Sequence, residues 1–553
     1  MDGRRQVATR ECLQGILAGL GIAAETEAEC RESLRELELR KWRQALEPVI
    51  LNWEGARRSI GIRLPSEAAA RGVTVQVRLE DGTSRELKLR AKDLRLAGRA
   101  EIDGARFVEG RFRLRGLPFG YHEIRVQIRG RRHVSRLISA PSRAYAPPGR
   151  AKAWGLFVPM YALHSGASWG AGNLGDYDRL CSWTRSLGGA VVAPLPLLGA
   201  FLDSPACEPS PYSPASRLFW NEFYLDIART PEFAACRAAQ RLVHSAAFQM
   251  GLERFRKSPT VDYQAEMAAR RAVLEARSSH FSRSRSTRRR EYEAFLRANP
   301  AAVDYAEFRA ACDRRRTGWS RWDERMRHGR LERGDYSEQA KAYHLFCQWL
   351  MQEQLSGLLD RFRQQGGRFH LDLPLGVHPD GYDVWRWRDA FAPTVSAGAP
   401  PDMFFTKGQN WGFAPLHPQR LRERGYEYVL NFLRFQMRHT GLLRIDHVMG
   451  LHRLYWIPSG LPPDQGTYVR YPAEELFAIL CLESHRNRTV IIGENLGTVP
   501  PEITTGMREH ELRETYVAQF AQTSNPHRPL APPPRRCVAM INTHDMPTFK
   551  AHW

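Results

Sequence analysis

The most informative stretch of the chain is 442–450, where an apolar run ends abruptly in charged side chains. Arg444 and Asp446 are separated there by a single residue. If this stretch is a strand, alternate side chains share a face, so both groups point to the same side. A cation that close favours the ionised carboxylate, which is the form that a carboxylate nucleophile needs. An ordinary ion pair at a strand end is the alternative, and this stretch alone does not exclude it.

Two further carboxylates follow strand-like runs in the same way. Glu494 follows the β-branched run 489–493, and Asp545 comes shortly after the run 538–541. Parallel (β/α) barrels assemble their active sites at the carboxyl ends of their strands. Retaining glycosidases need one carboxylate as the nucleophile and one carboxylic acid that protonates the leaving group. The sequence supplies both groups and a third acid.

The alternation of strand-like and helix-like segments after residue 151 predicts an α/β fold, a (β/α)8-type barrel in which seven strands are recognisable. Apolar runs of strand length lie at 154–159, 189–194, 368–373, 442–445, 489–492, 515–520 and 537–541. Most are separated by helical stretches or long loops, as successive β/α units are. A closed barrel of this type needs eight strands, and Trp553 comes soon after the seventh run. We therefore expect either an incomplete, C-terminally truncated barrel or one in which another segment closes the gap.

The pattern before residue 151 differs and predicts additional domains. Residues 1–48 have helical spacing of apolar positions, whereas 49–145 show short alternating segments divided by turn residues, as in a β-sandwich. The catalytic barrel is expected over 151–553, with a helical insertion at about 234–365. The sandwich either binds glycan or braces its neighbour, and we favour bracing.

Composition restricts the possible partners. The 553 residues carry a net charge of +21, which can indicate a polyanion partner. The arginines are spread along the chain, however, and the run 278–290 lacks interleaved aromatic residues, so it is expected to be a solvated helix end or loop. Nine cysteines without a Cys-x-x-Cys pair predict neither a disulfide framework nor a metal site. With no signal peptide and no membrane span, we expect a cytoplasmic protein that binds neither nucleic acid nor membrane.

Several motifs resemble those of the 4-alpha-glucanotransferases (amylomaltases, or disproportionating enzymes), relatives of the alpha-amylases. SWGAGNLGD at 168–176 resembles the family's first-strand loop, and SPYSPAS at 210–216 resembles its substrate-pocket segment. DGYDVW at 380–385 resembles the third-strand loop, and GAPPD through GQNWG at 398–412 resembles the mobile acceptor-side loop. The three catalytic signatures are matched by RIDH at 444–447, GENLG at 493–497 and THD at 543–545. We refer to residues 398–412 as the acceptor loop.

This resemblance implies three catalytic roles and no cofactor or metal. Asp446 is implied as the nucleophile that forms a covalent glycosyl-enzyme, and Glu494 as the acid that protonates the departing 4-hydroxyl and then acts as the base. Asp545 is implied to grip hydroxyls of the distorted sugar without exchanging protons. The implied reaction moves a segment of a maltodextrin donor to glucose or another maltodextrin. The sequence gives no indication of oligomeric state.

The resemblance also implies a set of substrate-binding side chains. They are Tyr212, Asn221, Asp383, Trp385, Asp402, Phe404, Gln409, Trp411, Arg444, His447 and His544. Tyr212 and Phe404 could equally be core aromatics, and His447 could be a structural partner of its neighbours. Trp411 lies in a polar, glycine-bearing loop, which makes burial in the core harder.

One residue departs from the family pattern, and two other functions stay open. The residue after the acid is usually Asp in the family but is Asn495 here, which removes a charge that would help keep Glu494 protonated. We therefore expect a more acidic pH optimum or a weaker acid step. The alternatives to a transferase are an alpha-glucan hydrolase and a catalytically impaired, truncated glucan-binding remnant.

Overall fold

The computed structural model describes residues 7–56, 58–128, 130–149, 152–204, 207–283, 287–403 and 405–552. The chain divides into two compact units, each built from segments that are distant in sequence. The first unit comprises Met1–Pro147, Asp389–Arg434 and His447–Trp553, and the second comprises Pro148–Arg388 and Phe435–Asp446.

The amino-terminal part of the first unit is a β-sandwich preceded by two helices, as predicted. The helices are α1 (Arg10–Gly19) and α2 (Glu27–Arg43). The strands are β1 (Val49–Trp53), β2 (Arg58–Pro65), β3 (Val73–Arg78), β4 (Ser84–Leu89), β5 (Arg95–Ile102), β6 (Ala105–Leu114), β7 (Gly120–Ile128) and β8 (Arg131–Ala140), with helix α3 (Ser66–Arg71) after β2. One sheet has the order β1-β8-β7-β3-β4 and the other β2-β6-β5. Alternation buries Val73, Val75 and Val77 of β3 and leaves the residues between them outside the core.

The remaining strands are, in chain order, β9 (Gly155–Phe157), β10 (Val191–Ala193), β11 (Arg368–Leu373), β12 (Val395–Ala399), β13 (Gln409–Asn410), β14 (Leu442–Ile445), β15 (Arg453–Pro458), β16 (Thr467–Arg470), β17 (Val490–Gly493), β18 (Arg513–Val517) and β19 (Cys537–Met540). The remaining helices are α4 (Leu174–Ser186), α5 (Pro231–Ala235), α6 (Arg237–Val243), α7 (Ala246–Lys257), α8 (Tyr263–Arg283), α9 (Arg289–Ala298), α10 (Ala301–Arg315), α11 (Glu324–Arg327), α12 (Glu338–Gln364), α13 (Tyr382–Arg386), α14 (Pro418–Glu423), α15 (Glu427–Met437), α16 (Ala473–Asn487), α17 (Pro501–Glu509) and α18 (Phe549–His552).

Each of the seven predicted barrel strands is a strand in the structure. In the second unit, β9, β10, β11 and β14 are parallel and adjacent in that order. In the first unit, β17, β18 and β19 are parallel and adjacent. The register of β11 and β14 places Asp372 opposite Arg444, so these two side chains share one face of their sheet.

The acceptor loop has a framework that the sequence analysis did not predict. In the first unit, an antiparallel sheet has the order β13-β12-β15-β16, and both β12 and β13 contribute residues to the acceptor loop. The loop is therefore a long hairpin whose two ends are hydrogen-bonded to each other.

Helices α5 to α12 occupy the predicted insertion of the second unit. The basic run near residue 288 has a structural role there. Arg288 pairs with Glu232 at 2.8 Å, with Glu291 at 2.6 Å and with Glu353 at 2.5 Å, and its guanidinium lies 4.8 Å from the ring centroid of Trp349. Residues 284–286 lie outside the described ranges.

The nine cysteines all lie in the described ranges and carry free thiols. Among the helices of those ranges, none is both long and apolar enough to cross a membrane.

Candidate active site

Asp446 follows the last residue of β14 and is held by the arginine two residues before it. Arg444 Nη1 donates to Asp446 Oδ1 at 2.8 Å and to both oxygens of Asp372, at 2.8 and 2.9 Å. The Asp372 side chain is 6% exposed and that of Asp446 is 23% exposed. The buried carboxylate therefore fixes the guanidinium, and the guanidinium orients the more accessible carboxylate while favouring its ionised form.

Asp372 is a residue that the sequence analysis missed. It also accepts a hydrogen bond from the Tyr212 hydroxyl at 2.6 Å, so it joins Tyr212 and Arg444. The pKa of Tyr212 is raised well above its ordinary value, mainly by burial and secondly by the negative charge of Asp372. The hydroxyl therefore keeps its proton. The available signal was the position of Asp372 near the carboxyl end of a predicted strand, where the other acids also occur.

A buried histidine lies on the same face of β11 as Asp372, because the two are separated by one residue. Burial lowers the pKa of His370 to about 4, with a smaller contribution from Arg444 in the same direction and an opposing one from Asp372. The imidazole is therefore neutral near pH 7, and it adds no positive charge that would compete with Arg444 for the carboxylates.

Glu494 follows β17 and is held by backbone donors at both oxygens. Its Oε2 accepts from the His447 N–H at 3.0 Å, and its Oε1 accepts from the Leu496 N–H at 2.7 Å. The residue is 8% exposed. The neighbouring Asn495 side chain accepts from the Thr515 N–H at 2.9 Å, which ties the segment after β17 to β18. These contacts fix the orientation of the carboxyl group.

His447 connects this acid to the acceptor loop. Its φ of 48° places it in the left-handed region, which is uncommon for a residue other than glycine. Its ring meets the Trp411 ring edge to face, with centroids 5.1 Å apart. Burial lowers the pKa of His447 to about 4, so the ring is neutral at physiological pH.

Within the acceptor loop, the predicted binding residues also support one another. Trp411 Nε1 donates to Gln409 Oε1 at 3.3 Å, and the Trp411 ring is parallel to that of Phe413 at 6.2 Å. Asp402 Oδ1 accepts from the Phe405 N–H at 2.6 Å. Phe404, a further predicted binding residue, lies outside the described residues.

The third acid lies after β19 in the first unit. The Asp545 side chain is 76% exposed, and His544 Nε2 lies 3.2 Å from its Oδ1. The Asp545 backbone N–H donates to Thr543 Oγ1 at 3.3 Å. The exposed carboxylate is accessible to a ligand, and the role implied for it stays a prediction.

Three predicted substrate-binding residues are instead engaged with protein in the interior of the second unit. Asn221 accepts from the Phe223 N–H at 3.1 Å and caps a short 3₁₀ helix, Glu222–Tyr224. Asp383 is fully buried and accepts from the Ser216 hydroxyl and the Arg217 N–H. Trp385 is 2% exposed, and its Nε1 donates to the Met326 carbonyl at 2.7 Å. In this conformation these side chains position the surrounding segments and do not present free surface to a ligand.

The glycine-rich segment after β9 is clamped by two buried side chains of α8 that the sequence analysis also missed. Glu266 Oε2 accepts from the Ala171 N–H at 2.9 Å, and Arg270 Nη2 donates to the Ala171 carbonyl at 3.0 Å. The two side chains are 2% and 1% exposed and lie one helical turn apart. Gly170 has a φ of 120°, and a Cβ there would collide with the Glu266 carboxylate. The helical insertion therefore fixes the conformation of this loop.

Comparison with known proteins gives the same family for most of the chain. A family model described as 4-alpha-glucanotransferase matches residues 158–553, and one described as the MalQ N-terminal beta sandwich domain matches residues 45–141. The chain is 33% identical over 572 residues to a 4-alpha-glucanotransferase of Mycobacterium bovis, with 99% of this chain and 77% of that protein covered. It is 35% identical over 465 residues to one of Haemophilus influenzae, with 79% and 66% covered.

A solved structure confirms the fold class. The crystal structure of amylomaltase from Corynebacterium glutamicum is similar with a TM-score of 0.83 at 27% identity, and the match covers 99% of this chain and 77% of that chain. The α/β barrel-type fold with an amino-terminal β-sandwich is therefore confirmed. The chain belongs to the 4-alpha-glucanotransferase family, and its enzyme class is that of a glucanotransferase acting on alpha-1,4-glucans.

Proposed function

We propose that this protein transfers a segment of a 1,4-alpha-glucan to the 4-hydroxyl of glucose or of another maltodextrin by double displacement. In the first step an Asp446 oxygen attacks the anomeric carbon, and Glu494 gives its proton to the departing 4-oxygen as the glycosidic bond breaks. In the second step Glu494 takes the proton of the acceptor 4-hydroxyl, whose oxygen displaces Asp446. Two inversions restore the alpha configuration.

The observation that carries this proposal is the triad of Asp372, Arg444 and Asp446. Arg444 donates to both acids, and Asp372 is nearly buried, so the guanidinium is held in one orientation. A nucleophilic carboxylate must be ionised and must keep one oxygen directed at the sugar. The bond from Arg444 to Asp446 Oδ1 supports both requirements.

The surroundings of Glu494 support the assignment of the acid and base roles to one residue. Backbone N–H groups of His447 and Leu496 hold its two oxygens. A protonated carboxyl oxygen retains a lone pair that can accept such a bond, so both protonation states fit this arrangement. The carboxyl group can therefore give up a proton in the first step and regain one in the second without turning.

The acceptor loop supports transfer over hydrolysis. Water and a sugar hydroxyl compete for the glycosyl-enzyme, and the sugar wins only where bound acceptor is oriented and water is excluded. Trp411 offers a partly exposed aromatic face, and Gln409 and Asp402 offer polar groups in the same loop. We propose that these side chains bind acceptor glucose units, and that His544 and Asp545 bind hydroxyls of the donor sugar.

Product chromatography with maltotriose as the only substrate tests the proposal. Transfer gives a ladder of longer maltodextrins together with glucose. A hydrolase gives only shorter sugars, and a glucan-binding remnant leaves maltotriose unchanged while still binding it. Asp446→Asn and Glu494→Gln serve as controls, because each removes one of the two chemical roles. A wild-type protein that forms no ladder would contradict the proposal.

We also propose that the protein works in a reducing, cytoplasmic compartment. The support is chemical, since its nine cysteines carry free thiols and five of them are buried. Microscopy of a fluorescent fusion tests this, and secretion of the fusion would contradict it.

A further inference from the structure

Helix α1 lies directly against the sheet that carries the acceptor loop. Two of its glycines, Gly15 and Gly19, are one turn apart and therefore face the same side. A Cβ on Gly15 would lie 2.6 Å from the Pro458 Cβ in β15, and one on Gly19 would lie 2.8 Å from the Val395 Cγ1 in β12. Both separations are shorter than real Cβ contacts. The helix backbone approaches both strands as closely as it does only because no side chain intervenes.

The strand under Gly19 is the one that positions the predicted acceptor-binding residues. Ala399 of β12 pairs with Gln409 of β13. The Trp411 N–H donates to the Ala397 carbonyl at 2.9 Å. Val395, which meets Gly19, lies two residues before Ala397 on the same strand. A displacement of β12 therefore moves Gln409 and Trp411 with it.

Hydrogen bonds join α1 to its neighbouring segments and join the end of β15 to the start of β12. The Leu20 carbonyl, just after α1, accepts from His417 Nε2 at 3.3 Å. Gln14 Nε2 donates to the Ala24 carbonyl at 3.2 Å, which ties the helix to the segment that follows it. Ser459, immediately after β15, donates from its backbone N–H and its hydroxyl to the Thr394 carbonyl, immediately before β12. A change in the spacing between α1 and the sheet is therefore passed to the strands.

We propose that α1 positions the acceptor side of the site, and that Gly15 and Gly19 set how the glycosyl-enzyme divides between sugar acceptors and water. They are positioning residues, which act through β12 and β15 on Gln409 and Trp411. The inference rests on the proposed transferase function. It assigns to the amino-terminal segment an effect on acceptor use in addition to its contribution to stability.

The test is a double-mutant cycle on the contact between Gly19 and Val395. Gly19→Ala places a Cβ 2.8 Å from Val395 Cγ1, so α1, β12 or the Val395 side chain must shift, and Val395→Ala opens a gap at the same place. The double variant removes the two methyl groups of Val395 that the new Cβ would meet, so the added methyl group at position 19 occupies the space they leave. Gly251→Ala is the matched control, because Gly251 is a helical glycine of α7 whose Cβ would meet nothing within 4 Å.

The readout is the ratio of transfer to hydrolysis with maltotriose, from ladder formation and from new reducing ends. A reacting group misplaced by 1 Å can lower a rate by about 10²-fold, so we expect the smaller shift in Gly19→Ala to lower the ratio of transfer to hydrolysis by roughly three- to tenfold. We expect Val395→Ala to lower it as well, the double variant to recover most of it, and Gly251→Ala to leave it unchanged. Release of fluoride from alpha-maltosyl fluoride, which reports the first step alone, should change little in all four.

A ratio that stays at the wild-type value in both Gly19→Ala and Val395→Ala would overturn the inference, even if the unfolding temperature falls, because α1 would then only stabilise the fold. If Gly19→Ala does not fold, Val395→Ala decides alone, since it adds no atoms. A wild-type protein that makes no ladder would contradict the proposed function itself, which is a different outcome.

Discussion

The carboxyl group of Glu494 accepts a hydrogen bond from the backbone N–H of His447 at 3.0 Å, and His447 follows Asp446 directly in the chain. The proposed acid is thereby hydrogen-bonded within its own unit to the residue that comes after the proposed nucleophile in the sequence. Because the donor is a backbone group, the bond does not depend on the side chain at position 447. Substitutions there are expected to alter the contact with Trp411 and leave this bond in place.

Arg444→Lys is expected to lower kcat of disproportionation by roughly 10- to 100-fold, because lysine cannot reproduce a guanidinium shared between two carboxylates. The estimate follows from losing about 1.5–3 kcal/mol of hydrogen bonding to a charged group, at about 1.4 kcal/mol per tenfold. Initial rates with maltotriose check it.

Arg361→Lys is the matched control for this substitution. Arg361 is 55% exposed and pairs with Asp178 at 3.1 Å, so its replacement should cost about 1 kcal/mol of stability or less and leave kcat unchanged. Equal rates for Arg444→Lys and Arg361→Lys would show that the triad does not orient the nucleophile.

His447→Asn is expected to destabilise the protein more near pH 7 than near pH 4.5. Burial lowers the pKa of His447 to about 4 in the folded state, below the ordinary value of about 6.5, so folding favours the neutral ring. The neutral ring therefore contributes to the free energy of unfolding, and this contribution is fully present above the unfolded pKa and is lost as pH falls towards about 4. Asparagine is chosen because it tolerates the left-handed conformation.

Urea unfolding of wild type and His447→Asn at the two pH values measures this difference. His370 and His439, whose pKa burial also lowers to about 4, act equally in both proteins and cancel in the comparison. The same loss of stability at both pH values would mean that the ring is not held neutral.

Asn495→Asp is expected to move the alkaline limb of the kcat/KM profile to higher pH. The new carboxylate can still accept the bond from the Thr515 N–H, and its negative charge favours the protonated form of Glu494. The profile of kcat/KM against pH checks this. Asn495→Ala removes the bond without adding charge, so its limb should stay in place. If both variants keep the wild-type limb, position 495 does not tune the acid.

Trp411→Ala is expected to lower transfer more than hydrolysis, because water needs no aromatic surface whereas a bound acceptor does. The loss also removes the contact of Trp411 with His447. The ratio of ladder to new reducing ends measures the effect. Trp183→Ala is the control, since Trp183 of α4 is 55% exposed and makes no part of the acceptor loop. An equal fall in both activities would count against acceptor binding by Trp411.

The sequence alone was sufficient to predict those elements whose structure is decided by a local residue pattern. The strands 368–373 and 442–445 have the predicted bounds because short β-branched or apolar runs with charged ends define them locally. The ion pair between Arg444 and Asp446 was also predictable, because a separation of two residues on a strand fixes a shared face.

The remaining features depend on contacts between distant segments. Asp372 meets Arg444 through the register of two strands, and nothing in either strand alone indicates that register. The strand β13 has only two residues, too few for any periodicity. Asp383 and Trp385 lie in a motif that resembles a substrate loop, yet their partners Ser216 and Met326 come from other segments of the second unit.

The central claim, that Asp446 forms the covalent intermediate and Glu494 resolves it, is tested most directly by trapping that intermediate. Glu494→Gln is incubated with alpha-maltosyl fluoride, whose fluoride leaves without help from an acid, whereas the next step lacks its base. Mass spectrometry of the digested protein is predicted to find a maltosyl ester on Asp446. An adduct on a different residue, or fluoride release without any adduct at Asp446 while wild type converts the donor to longer glucans, would contradict the account.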